Sequence, residues 1–137
     1  MTVIIFIIVL ASLIFVHELG HFLVARACGV RVDEFALGFG PRIWGTKRKV
    51  AIENVPAGEM VETEYALNLI PFGGYVKIFG ENNHKNELSD QEKKVSFIGK
   101  SKWQQASILV AGVVFNFIFA WLLIAITYVF HFAAPTD

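Results

Sequence analysis

Phe15-Val16-His17-Glu18-Leu19-Gly20-His21-Phe22 is the stretch that decides how this chain is read. It carries His-Glu-x-x-His, the spacing with which one helix offers two imidazoles to a single zinc ion. Residues four apart lie one turn apart on the same helix face. His17 and His21 are therefore the candidate metal ligands, each able to place a ring nitrogen about 2.0–2.1 Å from one Zn²⁺. Glu18 follows the first of them and points to the side of that axis. There it can take a proton from a zinc-bound water without becoming a ligand, which makes it the candidate general base. The setting sharpens this reading. Residues 1–16 contain no charged side chain, and Val3 to Val16 is almost all Ile, Val, Leu and Phe. A charged group at the centre of a hydrocarbon layer costs about 2.5–3.5 kcal/mol, so two His and a Glu in such a helix mark function rather than packing.

Outward from the motif, a first helix is expected from Thr2 to Ala27. At 1.5 Å per residue it spans about 39 Å, enough to cross a hydrocarbon core of about 30 Å with some tilt. The metal would lie inside the membrane near the far face, which Arg26 marks, and Gly29 is placed to end the helix. The start lacks a basic segment and no small-residue cleavage site follows, so the helix reads as an uncleaved span and not as a signal peptide. The whole chain agrees. Of 137 residues, 55% are hydrophobic and 13 are Phe, the composition of a small membrane protein whose surroundings are the lipid bilayer. A net charge of zero offers no basic surface for nucleic acid. The one cysteine, Cys28, has no partner for an internal disulfide and reads as a small apolar filler.

Residues 29–102 form a second region, a β-rich cytoplasmic or interfacial segment. Val30 to Leu37 reads as a strand and Gly38-Phe39-Gly40-Pro41 as a turn, with Phe39 and Trp44 suited to an interface. Residues 45–60 read as a variable loop. Val61, Thr63, Tyr65, Leu67 and Leu69 alternate with Glu62, Glu64, Ala66 and Asn68, a strand signal. Pro71-Phe72-Gly73-Gly74 is then the turn of a hairpin whose return strand is Tyr75 to Phe79. That hairpin is more apolar than solvent requires, and is either a small sheet core or a sheet edge dipping into the membrane beside the metal. His84 lies in a polar loop and reads as solvated. Ser89-x-x-Glu92 is a capping box for a short helix from Asp90 to Ile98, and Ser101-x-x-Gln104 a second one.

Residues 103–137 are the third region. Trp103 to Phe132 contains no Asp, Glu, Lys or Arg and forms a second transmembrane helix. Within it Gly112 permits close helix approach. Asn116 is either an interhelical hydrogen-bonding group or a side chain that orients a zinc ligand or the substrate backbone. The fold class expected is thus an α-helical membrane protein, with two transmembrane helices joined by a β-rich loop carrying a membrane-associated hairpin. All Lys and Arg lie between Arg26 and Lys102. The positive-inside rule then makes the loop cytoplasmic and puts both termini outside.

Four stretches together resemble the site-2 protease family of intramembrane zinc metalloproteases, in particular its bacterial regulator-of-sigma-E type, over that family's N-terminal half. They are Val16 to Phe22, Phe35 to Pro41, Ile70 to Lys77, and Ala111 to Phe117, in the family's order. The resemblance implies that His17 and His21 bind zinc and that Glu18 is the general base. It implies a transmembrane protein as substrate, a multi-pass protein of the bacterial inner membrane, and regulated intramembrane proteolysis as the function. It also implies that the Gly73-Gly74 hairpin enters the membrane and takes up substrate as an added strand, making Pro71, Gly73, Gly74, Tyr75 and Val76 the substrate-binding residues. Gly112 and Asn116 would support the site. Val113 stands where family members usually have Pro, and Gln105 where many have Arg. The family's third zinc ligand, an Asp in Leu-Asp-Gly on a later transmembrane helix, has no counterpart up to Asp137. Asp137 itself falls on the wrong side of the second helix. The expectation is an N-terminal portion, inactive alone, whose third ligand comes from a C-terminal half or further helices. Two other readings use the same residues. One is a non-catalytic membrane module that recruits partners through the hairpin; the other is a metal-binding or transport subunit.

Overall fold

The computed structural model describes residues 1–50, 60–82 and 88–133. His84, Asp137 and residues 51–59 of the expected loop lie outside that set. The element order is α1 (Thr2–Ala27), β1 (Val32–Val50), β2 (Val61–Ile78), α2 (Asp90–Val95) and α3 (Lys102–Ala133). Two helices, Thr2–Ala27 and Lys102–Val129, are long and apolar enough to cross a membrane.

The uninterrupted apolar run forms α1, and Gly29 ends it as the sequence predicts. Gly29 has φ 67°, the left-handed conformation that glycine adopts without a Cβ clash. The Val30 N–H reaches the Ala25 carbonyl and the Gly29 N–H the Arg26 carbonyl, both at 2.9 Å, which satisfies carbonyls that the helix end would otherwise leave bare. Both capping boxes are present. Ser89 Oγ accepts from the Glu92 N–H while the Ser89 N–H donates to Glu92 Oε2 at 2.9 Å. The Ser89 hydroxyl also donates to Glu92 Oε2 at 2.6 Å, and this bond first, then the one from the Ser89 N–H, holds the Glu92 carboxyl below the usual carboxylate range. Ser101 and Gln104 repeat the arrangement at the start of α3. Helix α2 stops at Val95 rather than Ile98, because Ser96 turns to an extended conformation with ψ 153°.

The sheet differs from the expectation in two respects. First, residues 45–50 are strand, not loop: β1 continues through the glycine turn, bending where Gly38 and Gly40 take φ 80° and 83°. Second, Val61–Leu69 and Tyr75–Phe79 do not pair as a hairpin. Residues Glu34 to Leu37 lie between them. Phe35 pairs with Val76 on one side and with Tyr65 on the other, and Leu37 with Gly74 and with Leu67. The outer half of β1 then pairs antiparallel with the first half of β2, from Trp44 with Leu67 to Val50 with Val61. The physical reason is the bend in each strand. Gly73, at φ 102°, redirects β2 past the edge of β1 instead of folding it back on itself. Arg42 secures the arrangement by bonding Glu64 on β2 and Glu34 Oε1 on β1, the latter at 2.5 Å.

An aromatic cluster fixes this sheet to α1. Phe22 meets Phe35 edge-on at 5.3 Å between ring centroids and Tyr65 at 5.9 Å. Val30, Val32, Ile78, Phe97 and Ile108 complete the core. Fully burying each such side chain contributes about 1.5–3 kcal/mol. The contacts of Gly20 with Ala111, of His21 with Ile108 and of Cys28 with Ser107 run in opposite sequence directions, so α1 and α3 are antiparallel. Both ends of the β-rich segment therefore leave the helix pair on the same side.

Candidate metal centre

Helix spacing brings the two imidazoles together as the sequence predicts. His17 Nε2 and His21 Nε2 are 3.2 Å apart, with the rings edge-on at 75°. Two nitrogens held about 2.0–2.1 Å from one tetrahedral ion stand about 3.3–3.4 Å apart, so the pair fits two ligand positions of zinc. His21 is also oriented for that role. Its Nδ1 lies 2.7 Å from the Ile108 carbonyl oxygen. A carbonyl only accepts, so Nδ1 carries the proton and Nε2 presents a lone pair toward His17.

Helix α3 reaches the site because two glycines let it. A Cβ on Gly20 would stand 2.7 Å from the Ala111 carbonyl oxygen and 2.9 Å from Phe115. A Cβ on Gly112 would stand 2.5 Å from His21 Nε2 and 2.7 Å from His17 Nε2. The absent side chain at 112 is thus the space in which both imidazole Nε2 atoms sit. Asn116, one turn further along, puts Nδ2 3.5 Å from His17 Nδ1.

The third wall is β2. A Cβ on Gly74 would stand 3.0 Å from Glu18 Cγ and 3.3 Å from Ile14 Cγ2, so the backbone passes directly over the candidate base. Leu13, Ile14, His17, Glu18, Gly73, Gly74 and Asn116 line a cleft of about 270 Å³. Of the residues expected to handle substrate, Gly73 and Gly74 reach it. Tyr75 turns away, donating to Glu34 Oε1 at 2.9 Å and stacking on Phe39. Val76 packs against the core and Pro71 is exposed. Among the described residues no three His, Cys, Asp or Glu side chains are grouped to hold a metal.

Sequence reasoning missed two contributors. Gly20 carried a signal, as a small residue inside an apolar helix. The Ile108 carbonyl carried none, since every residue has one.

A model of peptidase family M50 matches residues 5–134. The chain is 43% identical over 118 residues to a Helicobacter pylori protein provisionally named a zinc metalloprotease, covering 85% of this chain and 30% of that protein. It is 41% identical over 124 residues to a Thermotoga maritima protein of the same name, covering 90% and 22%. It is 43% identical over 125 residues to the regulator of sigma-E protease RseP of Escherichia coli, covering 88% and 25%. The chain thus spans less than a third of the length of each of these relatives. With nearly its whole length matched and its paired histidines in place, the chain belongs to peptidase family M50.

Proposed function

We propose that this chain forms the two-histidine side of the zinc centre of an intramembrane metalloendopeptidase that cuts transmembrane segments of other proteins. The observation that carries the reading is the 3.2 Å approach of His17 Nε2 and His21 Nε2, beside Glu18, in a cleft walled by Gly73 and Gly74. Zinc held by the two Nε2 atoms would supply Lewis acidity toward a peptide carbonyl and lower the pKa of water. Glu18 takes a proton from the attacking water and can return it to the leaving amine. Gly112 leaves the volume for the centre. The third protein ligand of a catalytic zinc comes from further helices or a C-terminal half, and without it the chain is inactive.

Substrate must be extended before it is cut, because a helix hides its carbonyls in hydrogen bonds to the residue four along. Residues 70–78 pair with β1 on one side and have no paired strand on the other among the described residues. That free edge can take the unwound chain as an added strand, satisfying backbone groups that cost several kcal/mol each when bare in hydrocarbon. Pro71, Gly73, Gly74, Tyr75 and Val76 shape this edge. The protein lies in the bacterial inner membrane as a multi-pass protein. Residues 1–28 and 103–137 contain the spans and residues 29–102 the cytoplasmic segment, with the β2 edge at the membrane. The Lys and Arg distribution and the antiparallel helices support this orientation.

The test is Glu18→Gln in the full-length protein, reconstituted with a membrane-spanning reporter. Cleavage falls by about 10²–10⁴-fold, the usual contribution of a general base, and zinc content is unchanged. Cleavage at the wild-type rate refutes the assignment.

A further inference from the structure

Phe35 and Tyr65 meet Phe22 of α1, and beyond them the same face of the sheet opens into a groove of about 520 Å³. Ligand sites occupy about 300–1,000 Å³. Phe35, Leu37, Trp44, Tyr65 and Leu67 wall the groove, and Arg48 is the one charged side chain lining it. Trp44 and Leu67 stay 56% and 45% exposed, a joined apolar surface of the kind that marks a contact. The groove shares no lining residue with the cleft beside His17 and Glu18.

The strand register sets this groove upright against α1. Trp44 pairs with Leu67 and Leu67 with Leu37, whose other partner, Gly74, passes over Glu18 and Ile14. Arg48 pairs with Thr63, which donates to the Val32 carbonyl at 2.8 Å. Val32 lies just past the end of α1, where the Val30 N–H bonds the Ala25 carbonyl. The groove therefore runs from the depth of the candidate base, at Trp44, to the level of the helix end, at Arg48. Four strand residues cover about 13 Å. Arg26 stands in the last turn of α1, its guanidinium 5.3 Å from the Phe22 ring centroid.

The sheet leaves the charge of Arg48 unmatched. Lys47 and Lys49 stand opposite Glu64 and Glu62 in the register, whereas Arg48 stands opposite Thr63. Among the described residues its guanidinium has no ion pair or hydrogen bond. An apolar slot at hydrocarbon depth, topped by a free cation at the level of the headgroups, is complementary to an anionic amphiphile. A neutral transmembrane helix would fill the slot and leave the guanidinium without an anion.

We propose that this groove binds one anionic phospholipid of the leaflet at the C-terminal end of α1. An acyl chain lies along Trp44 and Leu67, and the phosphate meets Arg48. Such a lipid fixes the outer arm of the sheet at a set depth in the bilayer. The site rests on the membrane reading of the helices and not on the metal.

The test uses the full-length protein in vesicles of equal parts phosphatidylglycerol and phosphatidylcholine. Leu67 is replaced by the photo-crosslinker p-benzoylphenylalanine, and the adducts are weighed by mass spectrometry. Phosphatidylglycerol adducts exceed phosphatidylcholine adducts about fivefold, the contribution of one cation beside an anionic headgroup. Arg48→Ala brings the ratio to about one, and Arg48→Lys, which keeps the charge, retains it. Excess soluble glycerol phosphate leaves the ratio unchanged, because a headgroup without chains cannot use the slot; competition by it overturns the lipid assignment in favour of a free phosphate. Equal recovery of the two lipids with Arg48 in place overturns the proposal, as does a ratio unchanged in Arg48→Ala. Adducts to protein in place of lipid overturn it too, and show a polypeptide as the occupant. The same label at Ile8, 60% exposed on α1, keeps two failures apart. Lipid adducts at Ile8 and none at Leu67 overturn the groove site, whereas none at either position overturns the membrane reading beneath it.

Discussion

Replacing Gly112 with alanine adds one methyl group where α3 meets both imidazoles. The new carbon would stand 2.5 Å from His21 Nε2 and 2.7 Å from His17 Nε2 and Cε1, against an ordinary contact of 3.4 Å or more. The overlap is thus about 0.7–0.9 Å on the two candidate ligand nitrogens. Those atoms are the ends of side chains, so the rings can swing aside and the helices can stay in place. The displacement instead disturbs the 3.2 Å approach of the two nitrogens and the 2.7 Å bond from His21 to the Ile108 carbonyl. Overpacking of this size costs about 1–3 kcal/mol. Carried wholly by the metal-bound geometry, that is about a 5- to 140-fold loss of zinc affinity at 1.4 kcal/mol per tenfold. Chelator competition measures the affinity, and circular dichroism with thermal melting measures the fold. Gly20→Ala is the contrast, because its methyl would meet the Ala111 carbonyl, which cannot swing aside; it lowers melting temperature and zinc affinity together. Val113→Ala, at an exposed side chain next door, changes neither. Zinc affinity of Gly112→Ala within twofold of wild type refutes the reasoning.

Two further predictions concern substrate and orientation. Successive N–H groups along a strand alternate in direction, so among Tyr75→Pro, Val76→Pro and Lys77→Pro those that strip a donor from the free edge reduce cleavage at least severalfold, with zinc content held; the strand-addition account fails if all three leave cleavage intact or lower it only in step with zinc. With Cys28 replaced by serine, a cysteine at exposed Asp90 resists a membrane-impermeant thiol reagent in intact cells and reacts after permeabilisation, whereas labelling of intact cells reverses the orientation.

What could be read in advance follows from the range of the interactions. The helices were legible because a run of apolar residues and a local cap are each properties of neighbouring positions. The boundary at Gly29 and the boxes at Ser89 and Ser101 are of this kind. The paired histidines were legible for the same reason, since four residues on a helix fix their geometry. The sheet was not. Pro71-Phe72-Gly73-Gly74 is good turn chemistry, and nothing local says that Glu34 to Leu37 will slide between the two arms it joins. That choice is made by Phe35 packing on Phe22 and Tyr65, contacts distant in sequence. Arg42 likewise stands between Pro41 and Ile43, where nothing local says that it bonds carboxylates on both strands. At the site, the role of Gly112 was read only as close approach. That its missing side chain is the room for the two imidazole Nε2 atoms emerges from the packing of α3 on α1.

The central claim is that His17 and His21 together hold zinc, and X-ray absorption on the zinc-loaded protein tests it most directly. The account predicts two imidazole nitrogens at about 2.0–2.1 Å from the metal, and loss of most bound zinc in the His17→Ala, His21→Ala double variant. Stoichiometric zinc in that double variant, with an unchanged absorption spectrum, would contradict it.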